Sequence, residues 1–149
     1  MPHSYTQLLY HIIYSTKERY PWLKDIRSRV HAYLGGAIRG EGGIALCIGG
    51  VDDHVHILAR LRQDKAISAV IGAVKANSSG WIHREFPELG KFEWQAGYAA
   101  FTVSKSQEDR VRGYIERQEE HHRKQSYQEE VIALLQAHGI DYDIRYLWE

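Results

Sequence analysis

The chain is poor in the residues that would suggest an unusual scaffold. Its 149 residues include one cysteine, Cys47, one methionine and three prolines. A single thiol inside an apolar run excludes a disulfide framework and suits a reducing compartment. No apolar stretch approaches the ~20 residues of a membrane helix, so the reading expects no leader, no membrane association and a soluble protein of the cytoplasm. Excess charge of one sign is also lacking, with 19 basic and 19 acidic residues giving a net charge of zero. That balance argues against a protein that coats duplex DNA, whose affinity would rest on phosphate neutralisation, but allows cations gathered on one face. With 44% hydrophobic and 26% charged residues, the composition is that of an ordinary globular chain. One domain spanning 1–149 is expected, long enough to bury roughly 70% of its unfolded surface.

Repeats and low-complexity tracts are also missing. Tyr5 to Ser15 is rich in aromatic and β-branched residues and predicts a strand. Ile26, Val30, Tyr33, Leu34, Ala37 and Ile38 recur at steps of three and four, the mark of an amphipathic helix, which Gly40, Gly42 and Gly43 end. Ile44 to Ile48 and His54 to Leu61 predict two further strands around the turn formers Asp52 and Asp53. A helix follows from about Ala66 to Glu85, then a strand from Phe92 to Val103 bent near Gly97. Two helices, Gln107 to Lys124 and Tyr127 to His138, complete the chain before the stop at Gly139. The order β-α-β-β-α-β, then α-α, predicts an α+β fold of the ferredoxin-like kind. In it two helices cover one face of a four-stranded antiparallel sheet, and the other face is expected to stay open.

Chemistry concentrates in two places. On the strand His54–Leu61, side chains two apart share a face; Val55, Ile57 and Ala59 point one way, and His54 and His56 the other. Two imidazoles on one face can reach one ion. They are too few for a closed structural zinc site, which needs four ligands; an open site with a borrowed ligand is the better metal reading, beside the plain one of two surface histidines on a strand. On the long C-terminal helix, Tyr114 and Gln118 are one turn apart and so neighbours. A tyrosine hydroxyl is a weak nucleophile unless its surroundings activate it, whereas a metal beside a phosphodiester stabilises charge on the phosphate oxygens. A glutamine carbonyl could complete the metal's shell. His121 and His122 continue along roughly that face, as candidates to approach a metal or a phosphate. Trp94 and Tyr98 are candidates for stacking on unpaired bases and equally for core packing of a strand. Lys75, Arg60, Arg62 and Lys105 are candidate phosphate contacts, with Lys17 and Arg19 behind them.

Three motifs, in order and spacing, resemble the small single-tyrosine HUH transposases of prokaryotic insertion sequences. They are Asp53-His54-Val55-His56-Ile57-Leu58; Phe92-Glu93-Trp94-Gln95-Ala96-Gly97-Tyr98 with Phe101; and Tyr114-Ile115 followed by Gln118 and His121-His122. The resemblance covers nearly the whole chain. It implies that His54, His56 and Gln118 bind Mg²⁺ or Mn²⁺ and that Tyr114 attacks a phosphodiester of single-stranded DNA. The products would be a 5′-phosphotyrosine and a free 3′-hydroxyl, which later attacks to reseal. It implies further a homodimer in which one subunit's tyrosine helix can complete the other's site, and DNA targets carrying short hairpins. A domesticated relative that processes genomic repeat hairpins would share this chemistry. A non-catalytic single-stranded nucleic-acid-binding module is the alternative of a different class, because an open sheet with aromatics suits base stacking. A metal-dependent phosphohydrolase is a third, without clustered carboxylates to recommend it.

Overall fold

The computed structural model describes residues 3–149. β1 (Leu9–Ser15) leads through a 3₁₀ turn at Lys17–Arg19 into α1 (Arg27–Gly40); β2 (Ile44–Gly50) and β3 (His54–Arg60) form a hairpin; α2 (Ile67–Glu85) returns to β4 (Ala99–Val103). Three C-terminal helices follow, α3 (Glu108–Glu116), α4 (Gln118–His121) and α5 (Tyr127–Ala137). The sheet order is β2-β3-β1-β4 with every neighbouring pair antiparallel, which is the expected ferredoxin-like arrangement. Among the described residues no helix is long and apolar enough to cross a membrane.

Alternation along the strands divides the interior in two. Ile12, Tyr14, Val55, Ile57 and Ala59 meet Leu34 and Ile38 of α1 and Val70, Ile71 and Val74 of α2 in the main core. Ile13 and Phe101 point to the opposite face, where they pack with Tyr127, Val131 and Leu135 of α5. The expectation of an open second face is therefore corrected. Six of the seven β3 residues are buried, both histidines among them, because an amphipathic helix at the end of the chain needs an apolar surface and the sheet supplies it.

Two other expectations change. The segment from Phe92 does not form one bent strand. Only Ala99–Val103 pairs with β1, preceded by an isolated bridge between Thr16 and Trp94. The Gln95 side chain accepts the Ser15 N–H at 2.7 Å and so takes over a bond that a continuing ladder would make with a backbone carbonyl. The helix predicted from Gln107 to Lys124 breaks at Arg117, whose φ and ψ of −101° and 24° leave the α region. There the Gln118 side-chain amide donates to the Tyr114 carbonyl at 3.4 Å, in place of the backbone N–H of a regular helix.

The seam between α3 and the sheet depends on Gly49, which pairs with His56 in the β2–β3 ladder. A Cβ built at Gly49 would lie 2.3 Å from the Ile115 carbonyl oxygen and 2.8 Å from its Cγ2. Arg112 of α3 donates to the Leu46 carbonyl at 2.6 Å and fastens the same seam. Gly49→Ala is accordingly expected to destabilise the protein by about 1–3 kcal/mol, the usual cost of forcing extra atoms into a packed contact. Urea unfolding checks this; an unchanged midpoint would show that α3 yields without cost.

Candidate active site

His54 and His56 leave β3 toward the C-terminal helices, and both are fully buried. Their rings are oriented from behind. His54 Nδ1 lies 2.7 Å from an Asp53 carboxylate oxygen, and His56 Nδ1 lies 2.8 Å from Nε2 of His11 on β1. A partner on one ring nitrogen holds the ring's orientation and directs the other nitrogen toward the helices.

What both Nε2 atoms face is Glu130, a buried carboxylate on α5. Its Oε1 lies 3.1 Å from His56 Nε2, 3.6 Å from His54 Nε2 and 3.0 Å from His122 Nε2. Its Oε2 accepts a hydrogen bond from the Tyr114 hydroxyl, another from the Gln118 side-chain amide at 3.3 Å, and lies 3.3 Å from His121 Nε2. Gln118, also buried, turns its Oε1 toward His54 Nε2 at 3.3 Å and His122 Nε2 at 2.9 Å. Tyr114, Gln118 and the two strand histidines thus meet at one place, as does His122; His121 stands beside the tyrosine, 3.4 Å from its hydroxyl.

The electrostatics follow from burial and from the carboxylate. Burial pushes the Glu130 carboxyl up, but hydrogen bonds from His122, His54 and His56 outweigh it and hold the group well below the usual carboxylate range. Burial lowers His56 to about 4 and His11 to about 3, the latter helped by His56 beside it. His54 is also depressed by burial, yet Asp53 and Glu130 win and its pKa rises. Tyr114 moves above the ordinary phenol value, first by burial and then by its bond to Glu130. At rest the hydroxyl keeps its proton.

Glu130 and His11 were not singled out in the sequence. For Glu130 a signal existed: it lies on the buried stripe of α5 with Tyr127, Val131 and Leu135, and a carboxylate on such a stripe needs partners. The helix is started by a capping box, with Ser126 Oγ accepting the Glu129 N–H at 3.1 Å and Glu129 accepting the Ser126 N–H at 3.2 Å. Gln95 anchors it from the sheet by accepting the Tyr127 hydroxyl at 3.1 Å. The stretch Phe92–Tyr98 thereby braces the helix that carries Glu130.

The weaker candidates fall elsewhere. Trp94 is 8% exposed, donates to Ser78 Oγ at 2.9 Å and packs edge-on against Tyr14 and Phe92; it is a core residue and not a free stacking platform. Tyr98 is 38% exposed. Lys75 points its Nζ at the carbonyls of Gln95, Ala96 and Gly97, at 2.9, 3.3 and 2.5 Å, and burial lowers its pKa to about 8. Arg62 pairs with Asp64, Lys105 with Glu108 and Lys17 with Glu93. Arg60 is half-buried at the end of β3, and Arg19 lies over the Trp148 ring.

Residues 4–118 match the family model described as transposase, IS200-like. The chain belongs to the IS200-like transposase family. A curated relative, the ISDra2 transposase TnpA of Deinococcus radiodurans, is 27% identical over 118 residues, covering 75% of this chain and 84% of its own length. A solved structure from Deinococcus radiodurans assigned to the transposases shares 25% identity at a TM-score of 0.65, over 77% of this chain and 94% of that one. A REP-associated tyrosine transposase, solved bound to a REP hairpin, superposes with a TM-score of 0.57 at 13% identity, over 77% and 68% of the two chains, and shares the fold. IS200-like membership makes the chain a DNA-cleaving enzyme of the transposase class. His54, His56, Tyr114 and Gln118 lie within the matched span; His122 and Glu130 lie beyond it.

The buried histidines and Glu130 make the fold sensitive to acid. His11 and His56 titrate lower in the fold than in an unfolded chain, where the value is 6.5, so the unfolded state takes up protons first as pH falls below about 6.5. Glu130 stays ionised in the fold below its ordinary 4.5, and its contribution, present above that value, is lost as pH falls through it. Metal-free protein should therefore lose stability steadily from pH 6.5 downward, with a further loss below about 4.5 that Glu130→Gln flattens. Urea midpoints measured across pH 7 to 4 test both limbs; a flat profile would contradict the buried network.

Proposed function

We propose that this IS200-like transposase cuts and rejoins single-stranded DNA at hairpin-bearing element ends through a covalent 5′-phosphotyrosine on Tyr114. The observation that carries the proposal is the meeting of the Tyr114 hydroxyl, the His54–His56 pair and Gln118 around one buried carboxylate, from elements far apart in the chain. His54, His56 and Gln118 are the proposed ligands of a divalent metal, Mg²⁺ or Mn²⁺. The donor set fits: ligand atoms of His54, His56, His122 and Glu130 lie within 4.8 Å of one another. Such an ion, when bound, polarises the scissile phosphodiester and neutralises its developing charge.

The chain's own residues do the rest. Tyr114 is held by Glu130 Oε2 at the rim of the buried cluster. Two clefts, of about 590 and 410 Å³, flank it and share Tyr114 and Arg117; Arg110 lines the first and Lys124 the second. A single strand lying across both would bring its backbone over the tyrosine, with cations on either side for the phosphates. The tyrosine oxygen then forms a bond to phosphorus, the bond from phosphorus to the 3′ oxygen breaks, and the 3′ oxygen leaves as a hydroxyl by taking up one proton, which balances the one the phenol gives up. The phenolic proton departs along the hydrogen bond to the carboxylate. Rejoining is the reverse, with a 3′-hydroxyl attacking the phosphotyrosine. A stem-loop is the proposed form of the DNA, as in the REP hairpin bound by the neighbour of like fold, and a homodimer is the proposed working form. A base-stacking module without catalysis would need the uncovered sheet face, which here lies beneath α3 and α5.

Incubation with single-stranded hairpin oligonucleotides and Mn²⁺ should yield a protein–DNA adduct on a denaturing gel. Tyr114→Phe should abolish it, a loss of several orders of magnitude in rate. An adduct persisting in that variant would overturn the nucleophile. His56→Ala should stop cleavage and leave hairpin binding intact; loss of both together would make the histidines structural.

A further inference from the structure

We propose that His122 and Glu130 join His54, His56 and Gln118 as donors to a single ion, and that this nitrogen-rich shell takes a first-row transition metal such as Mn²⁺ in preference to Mg²⁺. The inference rests on the metal reading above and extends it to two residues outside the span matched by the family model.

His122 supplies the argument. Its Nδ1 lies 2.8 Å from the Gln125 carbonyl. A carbonyl only accepts, so Nδ1 carries a proton, and Nε2 is the nitrogen free to turn its lone pair to an ion once it has given up any proton it shares with the carboxylate. That nitrogen faces two oxygens, Glu130 Oε1 at 3.0 Å and Gln118 Oε1 at 2.9 Å. The Gln118 amide cannot be turned round to offer its hydrogens instead, because its nitrogen already donates to Glu130 Oε2 and the Tyr114 carbonyl. His54 repeats the pattern, with Nδ1 on the Asp53 carboxylate and Nε2 toward the same two oxygens. His56, backed by His11, points Nε2 at Glu130 Oε1. Three ring nitrogens and two oxygens thus converge on one buried point.

A carboxylate and an amide oxygen buried side by side are costly unless positive charge lies between them; imidazole protons supply it in the metal-free protein, and a bound ion would replace them. The spacing suits a metal. Neighbouring donors stand 2.9–3.6 Å apart, near the ~3 Å edge of a shell with bonds of roughly 2.0–2.2 Å. Each imidazole is also backed by a partner on its other nitrogen, as metal-binding histidines are. With five protein donors in place, a phosphate oxygen would be free to complete the shell. Mg²⁺ prefers oxygen ligands and keeps several waters, whereas imidazole suits first-row transition metals. Glu130 has a second consequence: with one oxygen toward the ion and the other on the Tyr114 hydroxyl, it joins metal and nucleophile through one carboxylate.

The test uses the full chain stripped with a chelator and titrated with Mn²⁺, free ion being followed by electron paramagnetic resonance. One Mn²⁺ should bind per chain and resist a large excess of Mg²⁺. His122→Ala and Glu130→Gln should each weaken binding by about 10–100-fold, at least the scale seen when an outer partner of a metal ligand is removed. Pulsed resonance on the wild-type complex should count three imidazole nitrogens, a readout that needs no variant to fold. Two nitrogens, or both variants binding Mn²⁺ as tightly as wild type while His54→Ala and His56→Ala do not, would overturn the inference and leave the proposed function standing. Ready displacement by Mg²⁺ would overturn the selectivity. No Mn²⁺ binding by the wild type would overturn this inference together with the metal part of the proposed function.

Discussion

A carboxylate that is almost completely withdrawn from water must be surrounded by groups that compensate for its lost hydration, and Glu130 organises the second half of this protein on that account. Its two oxygens are met by His54, His56 and His122 on one side and by Tyr114, Gln118 and His121 on the other. Those six residues come from β3, α3, α4 and the turn after α4. Moving α5 by a fraction of a helical turn would leave a buried charge without partners, and truncating one side of such a network is among the costlier changes a fold can suffer. The capping box at Ser126 and the bond from Tyr127 to Gln95 hold the helix at the required angle.

The same constraint gives the two faces of the sheet different tasks. Toward α1 and α2 the strands present mainly apolar side chains, and that layer is a close-packed core. Toward α3 and α5 they present an apolar patch from Ile13 and Phe101 beside the polar cluster. The patch supplies the affinity between helix and sheet, and the cluster supplies the direction. Tyr114 lies where the two meet, buried enough to be held and exposed enough to be reached from the flanking clefts.

Much of this was legible in the sequence. Period-two alternation placed His54 and His56 on one face opposite Val55 and Ile57, and they are there. The spacing of Tyr114 and Gln118 was read from a regular helix; the residues do lie together, but across a break at Arg117 that turns Gln118 inward. Local periodicity carries no information about such a break, because it arises when a side chain competes for a backbone carbonyl. The ladder expected across Trp94 failed for a related reason, since Gln95 makes with its side chain a bond that a strand would make with its backbone.

By itself the sequence determined the element order, the apolar stripes and the pairing of a metal-type histidine motif with a tyrosine helix, because each is a matter of residue type at short spacing. Only the tertiary structure decided that the second sheet face is covered, that Trp94 is core, and that Glu130 stands at the centre. The contact from Glu130 to His56 spans 74 residues and the one from His11 to His56 spans 45. Separations of that size are set by how the helices close on the sheet, and no window along the chain contains both ends.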